Sequence, residues 1–154
     1  MLRSAEHKPL EKSAFMIRLF LILILVVCFL ILSIPVLFAE WVIGKISPHA
    51  RDISSLRIIQ FVFKLVMRIT GSKVTVLGEE NIPRDTAVLY IANHRSLFDT
   101  VLTYSRCPGL TGYVSKDSMA KVPLLSIWMK RLYCLFLNRT DIREGMKTIL
   151  AGIE

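Results

Sequence analysis

The longest apolar stretch of the chain lies near its N-terminus, from Leu19 to Ala39. Its 21 residues carry no charge, and 17 of them are Leu, Ile, Val or Phe. At about 1.5 Å per residue such a helix spans roughly 31 Å, close to the ~30 Å hydrocarbon core of a bilayer. The run is longer than the apolar part of a signal peptide, and Leu37 and Ala39 do not form a small-x-small cleavage site. The pattern predicts a retained membrane helix, with a kink or an end near Pro35; signal cleavage near Glu40 is the alternative.

A second helical pattern runs from Leu56 to Ile69. Polar residues recur there at spacings of three, four and four within an otherwise apolar sequence, namely Arg57, Gln60, Lys64 and Arg68. This spacing predicts a helix with one narrow cationic stripe. Candidate caps are Asp52, Ser54 or Ser55 at its start and Gly71 at its end. The helix either lies in the membrane interface or packs in a protein core with its stripe facing water; the apolar helix before it favours an amphipathic interfacial helix.

Beyond Gly71, short β-like runs alternate with helical ones. The predicted strands are residues 73–77, 86–92, 111–115 and 132–137. Predicted helices begin at Asp99 and Asp141, and a third lies within 117–131, broken or begun near Pro123. Such alternation predicts an α/β layer structure. The chain is thus expected to divide into a polar tail (1–14), a membrane anchor (15–71) and an α/β domain (72–154).

The chain is basic, with 20 Lys and Arg against 12 Asp and Glu and a net charge of +8. In a membrane protein this favours attraction to anionic headgroups over nucleic-acid recognition, although an ordinary basic surface would give the same count. The positive-inside rule would place the N-terminus in the cytosol and the following domain outside, whereas a re-entrant bend at Pro35 and Gly44 keeps both ends cytosolic. Three cysteines without metal-ligand spacing predict reduced thiols. We therefore expect a membrane protein whose catalytic part faces the cytoplasm.

Candidate chemistry lies in the run from Ala92 to Thr100. His94 follows a predicted strand, and Asp99 comes five positions later on the first turn of a predicted helix. A neutral imidazole can take a proton from a hydroxyl at neutral pH, and a carboxylate on its other nitrogen fixes the tautomer. The pair predicts a proton-abstracting site. An ordinary loop histidine beside a helix cap is the alternative.

This run resembles the first motif of the glycerolipid acyltransferase family, typified by 1-acylglycerol-3-phosphate acyltransferases, in which Asn-His is followed after four residues by Asp. Asn93, His94 and Asp99 match it position for position. Three further elements occur in the family's order. They are the loop at 76–83, the Lys-containing strand end and following Pro at 114–123, and the Phe-x-x-Arg motif at 136–139.

The resemblance implies an enzyme of phospholipid biosynthesis. His94, oriented by Asp99, would deprotonate the free hydroxyl of a lysophospholipid, so that lysophosphatidate becomes phosphatidate. The acyl donor would be acyl-CoA or acyl carrier protein, both of them thioesters. The resemblance implies no metal and no bound cofactor, and the expected partners are membrane lipids, the lysophospholipid acceptor and the acyl donor.

The resemblance also implies a substrate-binding set. Arg139 would hold the substrate phosphate, a role that suits its planar donor fork. Phe136 belongs to the same motif, Asn93 to the first motif, and Lys116 lies at the end of the third predicted strand. A solvated surface position is the alternative for both Arg139 and Lys116.

The family's third motif, Phe-Pro-Glu-Gly-Thr-Arg, and its fourth are absent from this sequence. The resemblance therefore covers roughly residues 73–154 and implies only the first half of a glycerolipid-acyltransferase-like α/β domain. We expect a fragment or truncated product with weak or no activity. A noncatalytic, membrane-anchored half-domain that binds lipid or a partner is the second hypothesis, and within the enzyme hypothesis the acceptor could equally be glycerol phosphate or another lysolipid.

Overall fold

The computed structural model describes residues 9–83, 86, 88–92, 96–138 and 142–151. Within them lie five α-helices: α1 (Pro9–Ile46), α2 (Pro48–Thr70), α3 (Leu97–Tyr104), α4 (Leu125–Arg131) and α5 (Ile142–Ala151). Two strands, β1 (Val114–Lys116) and β2 (Leu135–Leu137), and two 3-10 turns, Glu79–Asn81 and Asp117–Lys121, complete the described elements.

The apolar N-terminal run forms α1, as predicted, but the helix is much longer than the run. Its 38 residues extend for about 57 Å, and the part from Ser13 to Ile46 is long and apolar enough to cross a membrane, with a mean hydropathy of 3.3. The predicted end near Pro35 is wrong, because the helix continues through that residue for another three turns. A proline removes one backbone donor, and the packing of this part of α1 against α2 and α4 offsets that loss.

The chain reverses at a single residue, Ser47, and returns as α2. Ser47 has extended dihedrals, its hydroxyl accepts a hydrogen bond from the Ala50 amide at 3.3 Å, and Pro48 occupies the first helical position. These residues start α2 several positions earlier than the predicted caps did. The predicted end is confirmed, since Gly71 adopts φ 68° in the left-handed region.

The two helices form an antiparallel hairpin, hereafter the hairpin. At its closed end Ser55 donates to the Glu40 carboxylate at 2.5 Å, and at its open end Arg18 donates to the Thr70 carbonyl at 2.8 Å. The chain therefore leaves the hairpin beside the residue at which the apolar run of α1 begins. Most of α1 outside this contact is exposed apolar surface.

The cationic stripe of α2 is confirmed except at Gln60. Arg57, Lys64 and Arg68 are exposed, whereas Gln60 is buried and donates to the Cys107 carbonyl at 2.7 Å. A neutral amide can satisfy a buried carbonyl without the cost of burying a charge, which explains its place on the inner side. That this stripe lies in the membrane interface stays a prediction.

A polar seam joins α4 to α1. We use this name for Ser33 and Glu40 of α1 with Trp128 and Arg131 of α4. The Trp128 indole donates to Ser33 at 3.1 Å, and the Arg131 guanidinium forms an ion pair with Glu40 at 2.5 Å and donates to the Leu37 carbonyl at 2.9 Å. Ser33 and Glu40, two polar side chains within α1, thus contact other parts of the protein.

The hydrophobic core lies around this seam. Its buried members come from the hairpin and from the part of the chain after it: Leu37, Leu56, Ile59, Tyr104, Trp128 and Leu132. The division into an anchor and a domain at residue 71 stays a prediction, but the core itself draws on both sides of that boundary. The hairpin is therefore packed as part of the structure that carries the candidate site.

The α/β prediction is confirmed only in part. β1 and β2 pair in parallel with Val114 opposite Leu135 and Lys116 opposite Leu137, and they overlap two of the predicted strand regions. The predicted strands at 73–77 and 86–92 are wrong for their described residues, which are irregular and largely exposed. A strand needs a neighbour to satisfy its backbone groups, and these residues pair with none in the described chain. The described structure is mostly helical, with one small parallel sheet.

Candidate active site

Asp99 occupies the third position of α3, and its carboxylate is held by the start of the helix. Its Oδ2 accepts a hydrogen bond from the Ser96 amide at 2.9 Å, while the Ser96 hydroxyl accepts from the Phe98 amide at 3.2 Å. This reciprocal pair is a capping box, which satisfies amides that the first helical turn leaves without partners. The carboxylate therefore has a fixed orientation in a half-buried position at the helix N-terminus.

Three of the six predicted site residues lie outside the described residues. They are His94, Asn93 and Arg139. Their predicted roles stay predictions, as does the pairing of His94 with Asp99. The structure describes the other three, Asp99, Lys116 and Phe136.

Lys116 and Phe136 lie on paired strands that end at the same edge of the sheet. Lys116 is the last residue of β1 and pairs with Leu137, while Phe136 pairs with Ser115. The carboxyl ends of parallel strands are the usual location of ligand sites in α/β sheets. Lys116 is exposed and Phe136 is half-buried, and the register places their side chains on opposite faces of the sheet.

A cavity of about 410 Å³ lies at this edge of the sheet. Phe136 and Asn138 line it from β2, Asp117 from the turn after β1, and Lys147 and Thr148 from α5. Lys147 is not among the predicted site residues, because a lysine on a helical stretch is ordinarily solvated. Only the packing of α5 against β2 brings its ammonium group to the cavity that Phe136 lines.

The loop predicted at 76–83 is attached to α3 by an ion pair. Gly78 adopts φ 77°, a left-handed conformation that favours glycine, and the turn Glu79–Asn81 follows it. The Glu79 carboxylate pairs with the Arg106 guanidinium, just beyond the end of α3. This contact fixes the loop beside the helix whose other end carries Asp99.

A second cavity, the apolar groove, runs between this loop and α3. It has a volume of about 450 Å³, and its lining includes Val76, Leu102, Tyr113 and Ala92, the residue immediately before Asn93. The apolar groove was not predicted, because the residues of one of its walls were expected to form paired strands. In the sequence, the first motif therefore begins directly after a lining residue of this groove.

Burial around the apolar groove raises the pKa of several acidic groups. Desolvation raises the pKa of Tyr113 to about 12, and the Tyr113 and Thr103 hydroxyls are 2.7 Å apart, where either can donate. Desolvation also raises the pKa values of the Cys107 and Cys134 thiols. The groups stay protonated at neutral pH. The cysteines of the described chain form no disulfide, and their reduced state stays a prediction. Within the described residues no three His, Cys, Asp or Glu side chains come together as metal ligands.

A family comparison matches the region that contains this site. The model of the Acyltransferase family matches residues 73–152, and the chain belongs to this family. The match contains the segment with His94 and Asp99, both strands and the cavity between β2 and α5. No solved structure matches the chain.

Three of the curated relatives carry the name of the same activity. The chain is similar to a probable 1-acyl-sn-glycerol-3-phosphate acyltransferase of Mycoplasma pneumoniae, 32% identical over 52% of this chain and 31% of the relative. It is also similar to 1-acyl-sn-glycerol-3-phosphate acyltransferases of Borreliella burgdorferi, 28% identical over 59% and 36% of the two chains, and of Saccharomyces cerevisiae, 31% identical over 73% and 35%. The chain spans about a third of the length of these relatives.

Proposed function

We propose that the protein transfers a fatty acyl group from an acyl thioester to the free hydroxyl of lysophosphatidate, forming phosphatidate in phospholipid biosynthesis. Membership of the Acyltransferase family and the names of the relatives support acyl transfer of this kind. The observation that carries the proposal is the fixed Asp99 carboxylate at the start of α3, five residues after His94. The acyl donor is acyl-CoA or acyl carrier protein, and the reaction needs no metal or bound cofactor.

The proposed step is a direct attack of the acceptor hydroxyl on the thioester. His94 removes the hydroxyl proton as the oxygen forms a bond to the carbonyl carbon, and Asp99 stabilises the resulting imidazolium. The carbon–sulfur bond then breaks, and the leaving thiolate takes the proton back from His94. No acyl-enzyme forms, so the chain needs no nucleophile of its own. The capping box occupies the Ser96 and Phe98 amides, so in this proposal the dipole at the N-terminus of α3 stabilises the developing oxyanion.

The remaining predicted site residues hold the acceptor in this proposal. Arg139 follows β2 by two positions and binds the acceptor phosphate, with Phe136 supporting its strand. Lys116 ends β1 at the same edge of the sheet and adds a second cation, while Asn93 contacts substrate beside His94. The apolar groove suits the acyl chain because it is lined by apolar residues and reaches Ala92.

The test is acyl transfer from labelled acyl-CoA to lysophosphatidate, with the protein in lipid vesicles. We expect His94→Ala and Asp99→Ala each to lower the rate by about 10²- to 10⁴-fold, the usual contribution of general base catalysis. His49→Ala is the matched control, because His49 lies on α2 outside the site, and its rate should match the wild type. Activity that survives His94→Ala would remove that residue from its role, and an inactive wild type that still binds lysophosphatidate vesicles would favour the noncatalytic half-domain.

We also propose that the hairpin lies along the membrane surface with the catalytic part on the cytoplasmic face. The apolar helix supports membrane association, and the return of α2 brings residue 72 beside Arg18, on the side from which the N-terminal tail enters. The polar seam places α4 against the C-terminal half of α1, where lipid would surround a helix that crosses the membrane alone. The hairpin therefore shows one face to lipid and the other to the domain.

Protease protection of tags at the two termini tests this placement. In sealed vesicles with their cytoplasmic face outward, both tags should be cleaved, because both ends of the chain stay on one side. Protection of one tag alone would show that α1 crosses the membrane and would contradict the proposal. A lumenal marker protein that remains uncut provides the control for sealing.

A further inference from the structure

Three cationic side chains lie in line on α2 and do not belong to the predicted site residues. Arg57, Lys64 and Arg68 are exposed and are separated by seven and four residues, which places them on one face of the helix. None of them takes part in an ion pair with a carboxylate among the described residues. Like charges on one helix face repel each other, so an anion bound among them would relieve an unfavourable interaction.

These cations form one wall of a cavity of about 810 Å³, hereafter the basic groove. Its other wall includes Ser72, Glu79 and Arg106, from the loop after the hairpin and the end of α3. Glu79 is the one carboxylate among the described lining residues, and Arg106 already neutralises it. The basic groove thus keeps the charge of its three α2 cations inside a concave site large enough for a small ligand.

Two features place the basic groove beside lipid. Phe61 lies between Arg57 and Lys64 on the same helix face and is 63% exposed. Cations flanking an exposed aromatic ring are typical of helices that lie in the membrane interface. The end of α2 is also joined by hydrogen bond to Arg18, where the exposed apolar run of α1 begins. An anion that reaches this groove therefore comes from the headgroup layer.

We propose that the basic groove binds the phosphate of an anionic membrane phospholipid and prefers a phosphomonoester headgroup such as that of phosphatidate. A phosphomonoester carries a charge of about −1.5 to −2 at pH 7 and three acceptor oxygens, so it can engage several cations at once. A phosphodiester headgroup offers one charge and fewer free oxygens. The inference rests on the membrane placement of the hairpin proposed above, but not on the chemistry of His94, and none of the described lining residues of the groove belongs to the set assigned to the acceptor.

Flotation with vesicles tests the groove. The vesicles contain phosphatidylcholine alone, or phosphatidylcholine with phosphatidate or with phosphatidylglycerol at matched surface potential. We expect the wild type to bind phosphatidate vesicles more tightly than phosphatidylglycerol vesicles. Lys64→Gln combined with Arg68→Gln should lower binding to phosphatidate vesicles about tenfold or more, since each cation near an anionic surface contributes substantially to binding, and should leave binding to phosphatidylcholine unchanged.

The matched control removes the same charge elsewhere. Lys121→Gln combined with Lys130→Gln neutralises two exposed lysines outside the basic groove, and it should keep the preference for phosphatidate. Equal losses of phosphatidate binding in the two double variants would overturn the proposed phosphate site and leave only general surface charge. Equal binding of the wild type to both kinds of anionic vesicle would do the same. Failure to float with every vesicle would contradict the membrane placement and the groove with it. His94→Ala should float like the wild type, which separates this result from the test of catalysis.

Discussion

Two regions of the molecule differ in how their side chains are packed: the contact between α4 and the hairpin, and the extended segment that follows the hairpin. On the hairpin side, α4 packs through the polar seam, and Trp128 and Glu40 are almost completely buried. On the other side, the extended segment of residues 72–83 and 88–92 has no regular strand, and Leu77 and Leu89 are 90% and 84% exposed. The first region is fixed by side chains that meet partners from distant parts of the sequence. The second has a strand-like sequence without a strand beside it.

The difference shows what each type of element requires. A helix makes its backbone hydrogen bonds within one segment, so α1 and α2 form wherever the local sequence allows and then gain stability by packing. A strand must find its partners in another segment. The polar seam and the extended segment therefore respond differently to substitution, and the following predictions test that difference.

The largest effect is expected at the ion pair of the polar seam. Glu40→Ala removes the partner of Arg131, whose side chain is only 14% exposed, and should destabilise the protein by about 3–5 kcal/mol because a buried charge loses its partner. Chemical unfolding in detergent micelles measures the change. Glu80→Ala, at an exposed position, is the control. Replacing Glu40 and Arg131 together by Leu and Met should recover much of the lost stability. A Glu40→Ala protein as stable as the wild type would contradict the ion pair of the polar seam.

A smaller effect is expected where the backbone approaches β2. A Cβ atom on Gly112 would lie 2.2 Å from the Tyr133 carbonyl oxygen, so Gly112→Ala forces a shift of main-chain atoms. We expect a loss of about 1–3 kcal/mol, the usual cost of overpacking. Gly109→Ala provides the matched control, since nothing lies within 4 Å of its Cβ position. Equal stability of the two variants would show that this contact is not held in solution.

Tyr133→Phe should have a still smaller, pH-dependent effect. The Tyr133 hydroxyl donates to the buried Asp52 carboxylate of α2 at 2.5 Å, and we expect its loss to cost about 0.5–1.5 kcal/mol at this partly exposed site. The bond to Asp52 raises the pKa of Tyr133 above its ordinary value of 10.0. Because the folded-state pKa is the higher one, the contribution is present below about pH 10 and is lost as the pH rises through the folded-state pKa.

Unfolding curves of the wild type and of Tyr133→Phe, compared between neutral pH and alkaline pH, measure this contribution. The difference in the free energy of unfolding between the two proteins should disappear at alkaline pH. A difference that grew there would contradict the hydrogen bond to Asp52.

The smallest effect is expected in the extended segment. Leu77→Ser and Leu89→Ser remove exposed apolar side chains that pack against little, so the free energy of unfolding should change by no more than about 0.5 kcal/mol. Each variant is compared with the wild type by the same unfolding assay. A loss of about 2 kcal/mol or more at either position would mean that the segment is packed in solution, and the contrast between the two regions would fail.

The part of the candidate site that the structure describes was predictable where its elements are local. The sequence placed Asp99 in the first turn of a helix, but it put the start of that helix at Asp99, two residues late, and did not identify Ser96 as the cap. The cationic stripe of α2 was predictable from its spacing because that pattern is also local. Gln60 was assigned to the exposed stripe because periodicity cannot distinguish a solvated amide from one that meets the Cys107 carbonyl. Lys147 was overlooked because its cavity exists only after α5 packs on β2.

The sequence alone determined the long apolar helix, the amphipathic helix after it, the turn at Gly71 and the order of the family's motifs, because each depends on periodicity, local capping or side chains close together in the chain. Tertiary structure alone decided that Ser33 and Glu40 of the apolar helix would bind Trp128 and Arg131, more than 90 positions away. It also decided which strand-like runs became strands. Burial and strand pairing are properties of two segments at once, and no single segment encodes its partner.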